Sequence, residues 1–264
     1  MIRSLYSAAT GMKAQQLFVD NISNNLANVN TMGFKKSKLE FEDLLYQTME
    51  EPGENISDQN INPTGLQVGL GVKPAGTQKI FSQGSLVQTE NKLDFAIQGD
   101  GFFQVTRPDG STAYTRDGAF KLSDEGYIVT TSGYLLEPEI VLPVDADAEQ
   151  FTIDTNGKIY MKMVNEDVLE EVGQLELARF INPAGLKSLG GNLYESTAAS
   201  GEPVVNEPGL EGMGTLSQGY LEASNVQIVE EMVNMIMAQR AYEIASKGVT
   251  TSEEMLQVAN QLKR

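Results

Sequence analysis

The stretch VNMIMAQRAYEIASKGVTTSEEML, residues 233–256, contains no proline and spaces its apolar side chains by steps of three and four. Met237, Ala241, Ile244, Gly248, Thr251, Met255, Val258 and Leu262 carry that alternation to the C-terminus, and Val226, Val229, Val233 and Ile236 form an offset stripe upstream. Such spacing lines side chains along one seam of a helix, so the pattern predicts a helix over 225–263, about 58 Å long at 1.5 Å per residue. Ser224 or Asn225 is the expected N-cap, and Glu230 and Glu231 suit the positive end of the helix dipole. Ile228, Met232 and Met235 add further apolar columns, more than one seam can cover, so this helix needs partners.

The N-terminus repeats the spacing through Leu5, Ala8, Met12, Gln15, Val19, Ile22, Leu26 and Val29, with Gln15 the polar exception. A helix over 4–28, about 37 Å long, should end where Asn28, Asn30 and Gly33 tolerate the left-handed conformation. The two helices can close as one hairpin within the chain, or their remaining faces can be covered by copies of it. The breadth of the C-terminal apolar surface favours the second. Gly11 and Gly248 lie inside the helices, where each costs about 1 kcal/mol relative to Ala, and are expected to mark close helix approach.

Between the ends the period changes to two. Asp100-Gly101, Asp109-Gly110, Asp117-Gly118, Gly126 and Gly133 flank short runs at 102–106, 119–122, 127–130 and 134–136, which read as an antiparallel meander. A second hairpin turns at Asn156-Gly157, and strand-like pieces follow through 175–180. Residues 46–63 (YQTMEEPGENISDQNINP) are polar and turn-rich, a loop composition that is either disordered or held by a partner. The fold class is therefore α+β, mainly β: long terminal helices form a coiled-coil-like core, with a central antiparallel β domain and an extended β-hairpin or loop segment between. The expected domains are 1–30 with 225–264, a linking segment of 31–75 with 205–224, and an outer β domain at 76–204.

Composition removes most other functions. Among 264 residues there is no His, Cys or Trp, so Cys/His metal sites, imidazole acid–base chemistry and the usual nucleophilic triads are excluded; no cofactor or metal is expected. The formal charge of −17 opposes nucleic acid, which is bound through Lys and Arg. No apolar run reaches signal-peptide or membrane-span length, so neither cleaved secretion nor membrane insertion is expected. Thirty-six acidic residues make carboxylate pairs unavoidable, and Glu170-Glu171, Glu230-Glu231 and Glu253-Glu254 read as solvated faces rather than a glycan-hydrolysing pair. Asp154-Thr155-Asn156-Gly157 opens like a calcium loop, but Ile159 and Asn165 occupy the glycine and glutamate positions, so it reads as a hairpin turn. Gly69 and Gly71 lack the third glycine of a dinucleotide site.

ISNNLANVNTMGFKKSK at 22–38 resembles the N-terminal signature of the bacterial flagellar rod and hook family, within it Asn24, Asn25, Leu26, Ala27, Asn28, Gly33 and Phe34. The 233–256 stretch resembles that family's C-terminal motif, with Gln239, Arg240, Ala241 and Tyr242. FEDLLYQT at 41–48, PTGLQVGLGVKP at 63–74, DFAIQGDGFFQV at 94–105, YTRDGAF at 114–120 and QGYLEASNVQIVEEMVNMI at 218–236 are similar to its distal-rod members. The resemblance implies a structural subunit, not an enzyme, whose copies form a hollow helical tube transmitting torque from motor to hook. The implied assembly interface is Leu5, Ala8, Met12, Val19, Ile22, Leu26, Val29, Val229, Val233, Ile236, Met237, Ala241, Ile244, Gly248, Met255, Val258 and Leu262. Residues 46–63, with Pro52, Gly53, Pro63 and neighbouring Gly65, correspond to a segment implicated in rod straightness. Implied partners are further copies, proximal rod subunits, the hook protein, surrounding ring proteins and the flagellar type III export apparatus, with the rod in the periplasm. A hook or proximal rod subunit is the alternative within the family; a peptidoglycan hydrolase is the alternative outside it.

Overall fold

The computed structural model describes residues 2–52, 55–57, 60–61, 64–141, 151–162 and 169–261. Gly53, Pro63 and Leu262, singled out above, lie outside them. Helix α1 spans Ile2–Ala27 and helix α2 spans Ile228–Gln261, with a strand-rich region between. The chain divides into two compact units: residues 1–26, 37–78 and 227–264 form a helical unit, and 27–36 with 79–226 form a β unit.

A seven-stranded antiparallel sheet dominates the β unit, in the order Phe120–Leu122, Ile128–Thr130, Leu135–Glu137, Phe103–Thr106, Thr112–Thr115, Leu193–Glu195, Lys187–Gly190. Glycine-marked turns do not simply produce a meander. Asp109-Gly110 joins two paired strands, whereas the chain leaves the sheet before Asp100-Gly101, because Phe95–Gln98 pairs with Thr215–Gln218 instead. After Asp117-Gly118 it enters a strand on the far side of the sheet. Gly118 permits that crossing, since the Phe95 carbonyl fills the space a Cβ would occupy. Phe151–Ile153, Lys158–Lys162 and Leu169–Gln174 make a separate three-stranded sheet, with Asn156-Gly157 in the expected turn.

Alternation along Phe102 to Val105 serves two cores. Phe103 and Val105 join Phe95, Ile97, Phe120, Phe151, Ile159, Leu175 and Leu177 in the main cluster, each 2% exposed or less. Phe102 instead packs with Tyr114, Phe180, Leu186 and Tyr194 in a smaller aromatic cluster. Residues 205–224, expected in the linking segment, supply Thr215–Gln218 and Tyr220–Glu222 to this unit, the latter pairing with Leu86–Gln88.

In the helical unit α1 and α2 run antiparallel. Ser4 Oγ lies 3.2 Å from Ser252 Oγ at one end, and Asn25 Nδ2 donates to Glu231 Oε2 at 3.5 Å at the other. Ser37–Asp43 pairs with Val72–Lys79, and Phe18 of α1 meets Phe41 edge to face. Within 46–63 the described residues form strands that the loop composition does not suggest: Tyr46–Glu50 pairs with Leu66–Gly69, and Asn55–Ser57 with Asn60–Ile61. Thr48 and Tyr46 have good strand propensity, and backbone pairing is indifferent to the polar side chains between them.

Candidate assembly interface

The α2 seam that faces α1 is not the large apolar stripe. Steps of three and four from Glu231 give Asn234, Ala238, Ala241, Ala245, Gly248 and Ser252, and of these Glu231, Ala238 and Ser252 are buried. Mostly small side chains let the helices approach closely, as between Ser4 and Ser252. A Cβ at Gly248 would sit 3.9 Å from Ala8 Cβ, an ordinary contact, and one at Gly11 would meet nothing within 4 Å. Neither glycine is thus required for helix approach within the chain.

The expected interface residues separate into two groups. Leu5, Ala8, Met12, Val19, Leu26, Val29 and Ala241 are half-buried and Ile22 is buried. Val229, Val233, Ile236, Met237, Ile244, Met255 and Val258 are all exposed, Val229 at 76% and Ile244 at 73%. Large apolar side chains therefore line much of α2 and are left uncovered by the described residues. A groove of about 430 Å³ between the helices is lined by Gln16, Val19, Gln239, Tyr242 and Glu243. Arg240, beside it, pairs with Glu243 at 2.8 Å on the surface.

Signature residues near 22–38 do different work. Asn25 acts as a short piece of strand: its Nδ2 donates to Ser37 O at 2.9 Å and its Oδ1 accepts from Ser37 N at 2.9 Å. Its bond to Glu231 corrects the expectation that Glu230-Glu231 is a solvated face, because Glu231 is buried against that amide. Asn24 and Ala27 are exposed, and Asn28 O accepts from Thr31 N as the helix closes. Asn225 is not the helix cap expected of it; its Oδ1 accepts from Lys36 N at 2.7 Å and its Nδ2 donates to Ile80 O at 2.8 Å. A buried backbone amide or carbonyl without a partner costs more than a missing cap, so the side chain goes there.

The buried polar centre of the β unit was invisible in the sequence. Lys35 Nζ donates to Glu222 Oε1 at 2.6 Å and to Ser82 O at 2.8 Å, and Arg116 Nη1 reaches Glu222 Oε2 at 3.5 Å. Gly33 holds φ at 69° and its N–H donates to Glu222 O at 2.8 Å. A Cβ there would lie 2.6 Å from the Asp117 nitrogen, which explains the glycine beside the signature Phe34, whose ring sits 4.5 Å under Lys79 Nζ. Burial lowers the pKa of Lys35 and of Arg116, opposed in each case by Glu222, and burial pushes the Tyr194 hydroxyl up to about 12. Each member of the triad lies in a string quoted above, but their separation along the chain hid the pairing.

In the 46–63 stretch, Pro52 is exposed and Gly65 is pressed against it: a Cβ at Gly65 would lie 2.7 Å from Pro52 Cδ and 2.5 Å from Glu50 O. Leu45, Tyr46, Met49 and Leu66 are exposed around this ribbon. Among the described residues there is no helix long and apolar enough to cross a membrane and no cluster of three or more acidic, His or Cys side chains placed to hold a metal.

Three family models match the chain: the Flagella basal body rod protein model at residues 5–35, the Flagellar hook protein FlgE/F/G D1 domain at 96–161, and the Flagellar basal body rod FlgEFG protein C-terminal model at 217–262. The Borreliella burgdorferi flagellar basal-body rod protein FlgG is 51% identical over 264 residues, covering all of both chains. Its Buchnera aphidicola (subsp. Schizaphis graminum) counterpart is 51% identical over 99% of this chain and 100% of its own. The Bacillus subtilis counterpart is 41% identical with both chains covered in full.

Proposed function

The chain belongs to the flagellar basal-body rod protein FlgG family, a family of structural rod subunits, and from that premise we propose that it builds the distal rod. Copies pack their terminal helices into a coiled-coil-like core, forming a straight hollow tube that carries torque between motor and hook. One observation carries this reading: α2 turns small residues toward α1 and leaves Val229, Met237 and Ile244 exposed. Each such side chain contributes about 1.5–3 kcal/mol when fully buried, so several per neighbour outweigh part of the ordering cost of association. Contacts between identical subunits that do not close on themselves generate an open helix, the geometry of a rod. Proximal rod subunits and the hook protein would meet the two ends of such a tube, ring proteins its outside, and the type III export apparatus would deliver the chain.

The ribbon around 46–69 sets rod straightness in this reading. Gly65 seated on Pro52 fixes its curvature, and exposed Tyr46, Met49 and Leu66 offer it to the next subunit.

Electron microscopy of concentrated full-length protein tests the assembly. Straight hollow tubes are expected from the wild type and none from Ile244→Asp; compact monomers from both, even on native seeds, would end the proposal. Deleting 46–63 should yield tubes that are curved or short, and straight tubes from that variant would separate this segment from straightness.

A further inference from the structure

Cys and Trp, the side chains that compete with methionine for an oxidant, are absent from this chain, which has 11 Met. The thioether is therefore its softest nucleophile, and how fast each one is oxidised follows its exposure. Exposure divides the methionines by region. Among the described residues Met232, Met237 and Met255 of α2 are 52%, 63% and 47% exposed, whereas Met161 and Met213 of the β unit are buried at 3% and 6%. Met49 on the ribbon is also exposed, but Arg3 Nη1 donates to its sulfur at 3.5 Å and engages a lone pair that an oxidant would use.

Each exposed methionine of α2 sits one helical turn from another exposed apolar side chain. Met232 lies between Ile228 and Ile236, Met237 follows Val233, and Met255 precedes Val258. Oxidation turns a flexible apolar tip into a polar sulfoxide. In the free chain that change is cheap, because the side chain is already in water. At a helix contact the new acceptor must give up its water without finding a donor, and the neighbouring apolar side chains around it offer none.

We propose that Met232, Met237 and Met255 form a reversible oxidation site of the unassembled chain, where peroxide turns the α2 stripe polar and so blocks its pairing with a second copy; the block rests on the rod reading above. In the step itself the thioether sulfur attacks one peroxide oxygen, the S–O bond forms as the O–O bond breaks, and the departing hydroxide takes the remaining proton to leave as water. Sulfur loses two electrons and the peroxide gains them. Sulfoxide reductases, one for each epimer, reverse the change with a dithiol, which is oxidised to the disulfide while the oxygen leaves as water. Once a neighbour covers the stripe the sulfurs are out of reach, so oxidation and assembly exclude each other.

The test treats dilute full-length protein with hydrogen peroxide and follows the gain of one oxygen at each methionine by peptide mass spectrometry. Met232, Met237 and Met255 should react at least about tenfold faster than Met161 and Met213, which are reached only when the β unit opens. Retention on a hydrophobic-interaction column should fall, while urea unfolding matches that of untreated protein. Tubes should form from untreated protein, fail to form from oxidised protein, and return after the two reductases have acted. A variant carrying Met232→Leu, Met237→Leu and Met255→Leu retains Met49 and isolates the site: most of the retention shift should be lost from it, and peroxide should leave its tube yield, whatever the level, unchanged. Equal rates at the α2 and the buried methionines, unchanged retention of the oxidised wild type, or a full peroxide response in the triple variant would each overturn the site. Tubes from fully oxidised protein would overturn the block. An absence of tubes from untreated protein would end the rod reading and the block with it, and the rates and retention would still decide the oxidation site.

Discussion

In the β unit Phe95, Phe103, Phe120 and Phe151 are all 2% exposed or less; in the helical unit Val229, Met237 and Ile244 are 76%, 63% and 73% exposed. Both regions are rich in apolar side chains, and the contrast lies in where the partners are. Strands alternate, so one face of Phe103–Thr106 fills a core that other strands of the same chain complete. A helix offers its whole circumference, and α1 covers only one seam of α2. The apolar strands of the β unit find their partners within it, whereas the exposed stripe of α2 does not; on the assembly proposed above neighbours would cover that stripe, so mutations should damage folding in one and assembly in the other.

The largest effect on folding should come from Glu222→Gln, which leaves Lys35 and Arg116 buried beside an uncharged amide. Removing one partner of a buried ion cluster typically costs about 3–5 kcal/mol, to be read from urea unfolding of the monomer. A loss below about 1 kcal/mol would mean the β unit is not closed around this centre. Gly33→Ala comes next. The residue holds φ at 69° and its Cβ would meet the Asp117 backbone, so a loss of about 1–3 kcal/mol is expected in the same measurement.

Tyr194→Phe sharpens the comparison through pH. Burial raises the hydroxyl pKa to about 12, above the ordinary value of 10.0, so the neutral form is favoured in the folded state. Its contribution is fully present below pH 10 and is lost as pH rises through about 12. Wild-type stability should therefore fall relative to Tyr194→Phe across that window; parallel pH profiles would show that the aromatic cluster is hydrated. The smallest folding effect belongs to Ile244→Asp, within about 0.5 kcal/mol for the monomer because the side chain is already in water. A large loss from it would break the contrast, since Ile244 would then have a partner within its own chain.

Periodicity carried the element types a long way. The N-terminal pattern placed α1 close to Ile2–Ala27, and the runs at 102–106, 119–122, 127–130 and 134–136 fall on strands Phe103–Thr106, Phe120–Leu122, Ile128–Thr130 and Leu135–Glu137. Local patterns lose force once partners are chosen. Asp117-Gly118 looked like a hairpin turn and is a crossing point, because which strand sits beside Phe120–Leu122 depends on packing far along the chain. Asn225 looked like a cap and is a clamp on Lys36 and Ile80, and Glu231 looked solvated and is buried against Asn25.

By itself the sequence determined the two terminal helices, the β-rich middle, the lack of imidazole and thiol chemistry, and the family, since spacing, composition and motif strings are local properties of the chain. Only the tertiary structure decided that the small-residue seam of α2 faces α1, that its large apolar stripe stays open, and that Lys35, Arg116 and Glu222 share one buried centre. Helical periodicity says which residues share a face but not what that face meets. The meeting is settled by side-chain size and by the cost of leaving buried charges and amides unpaired.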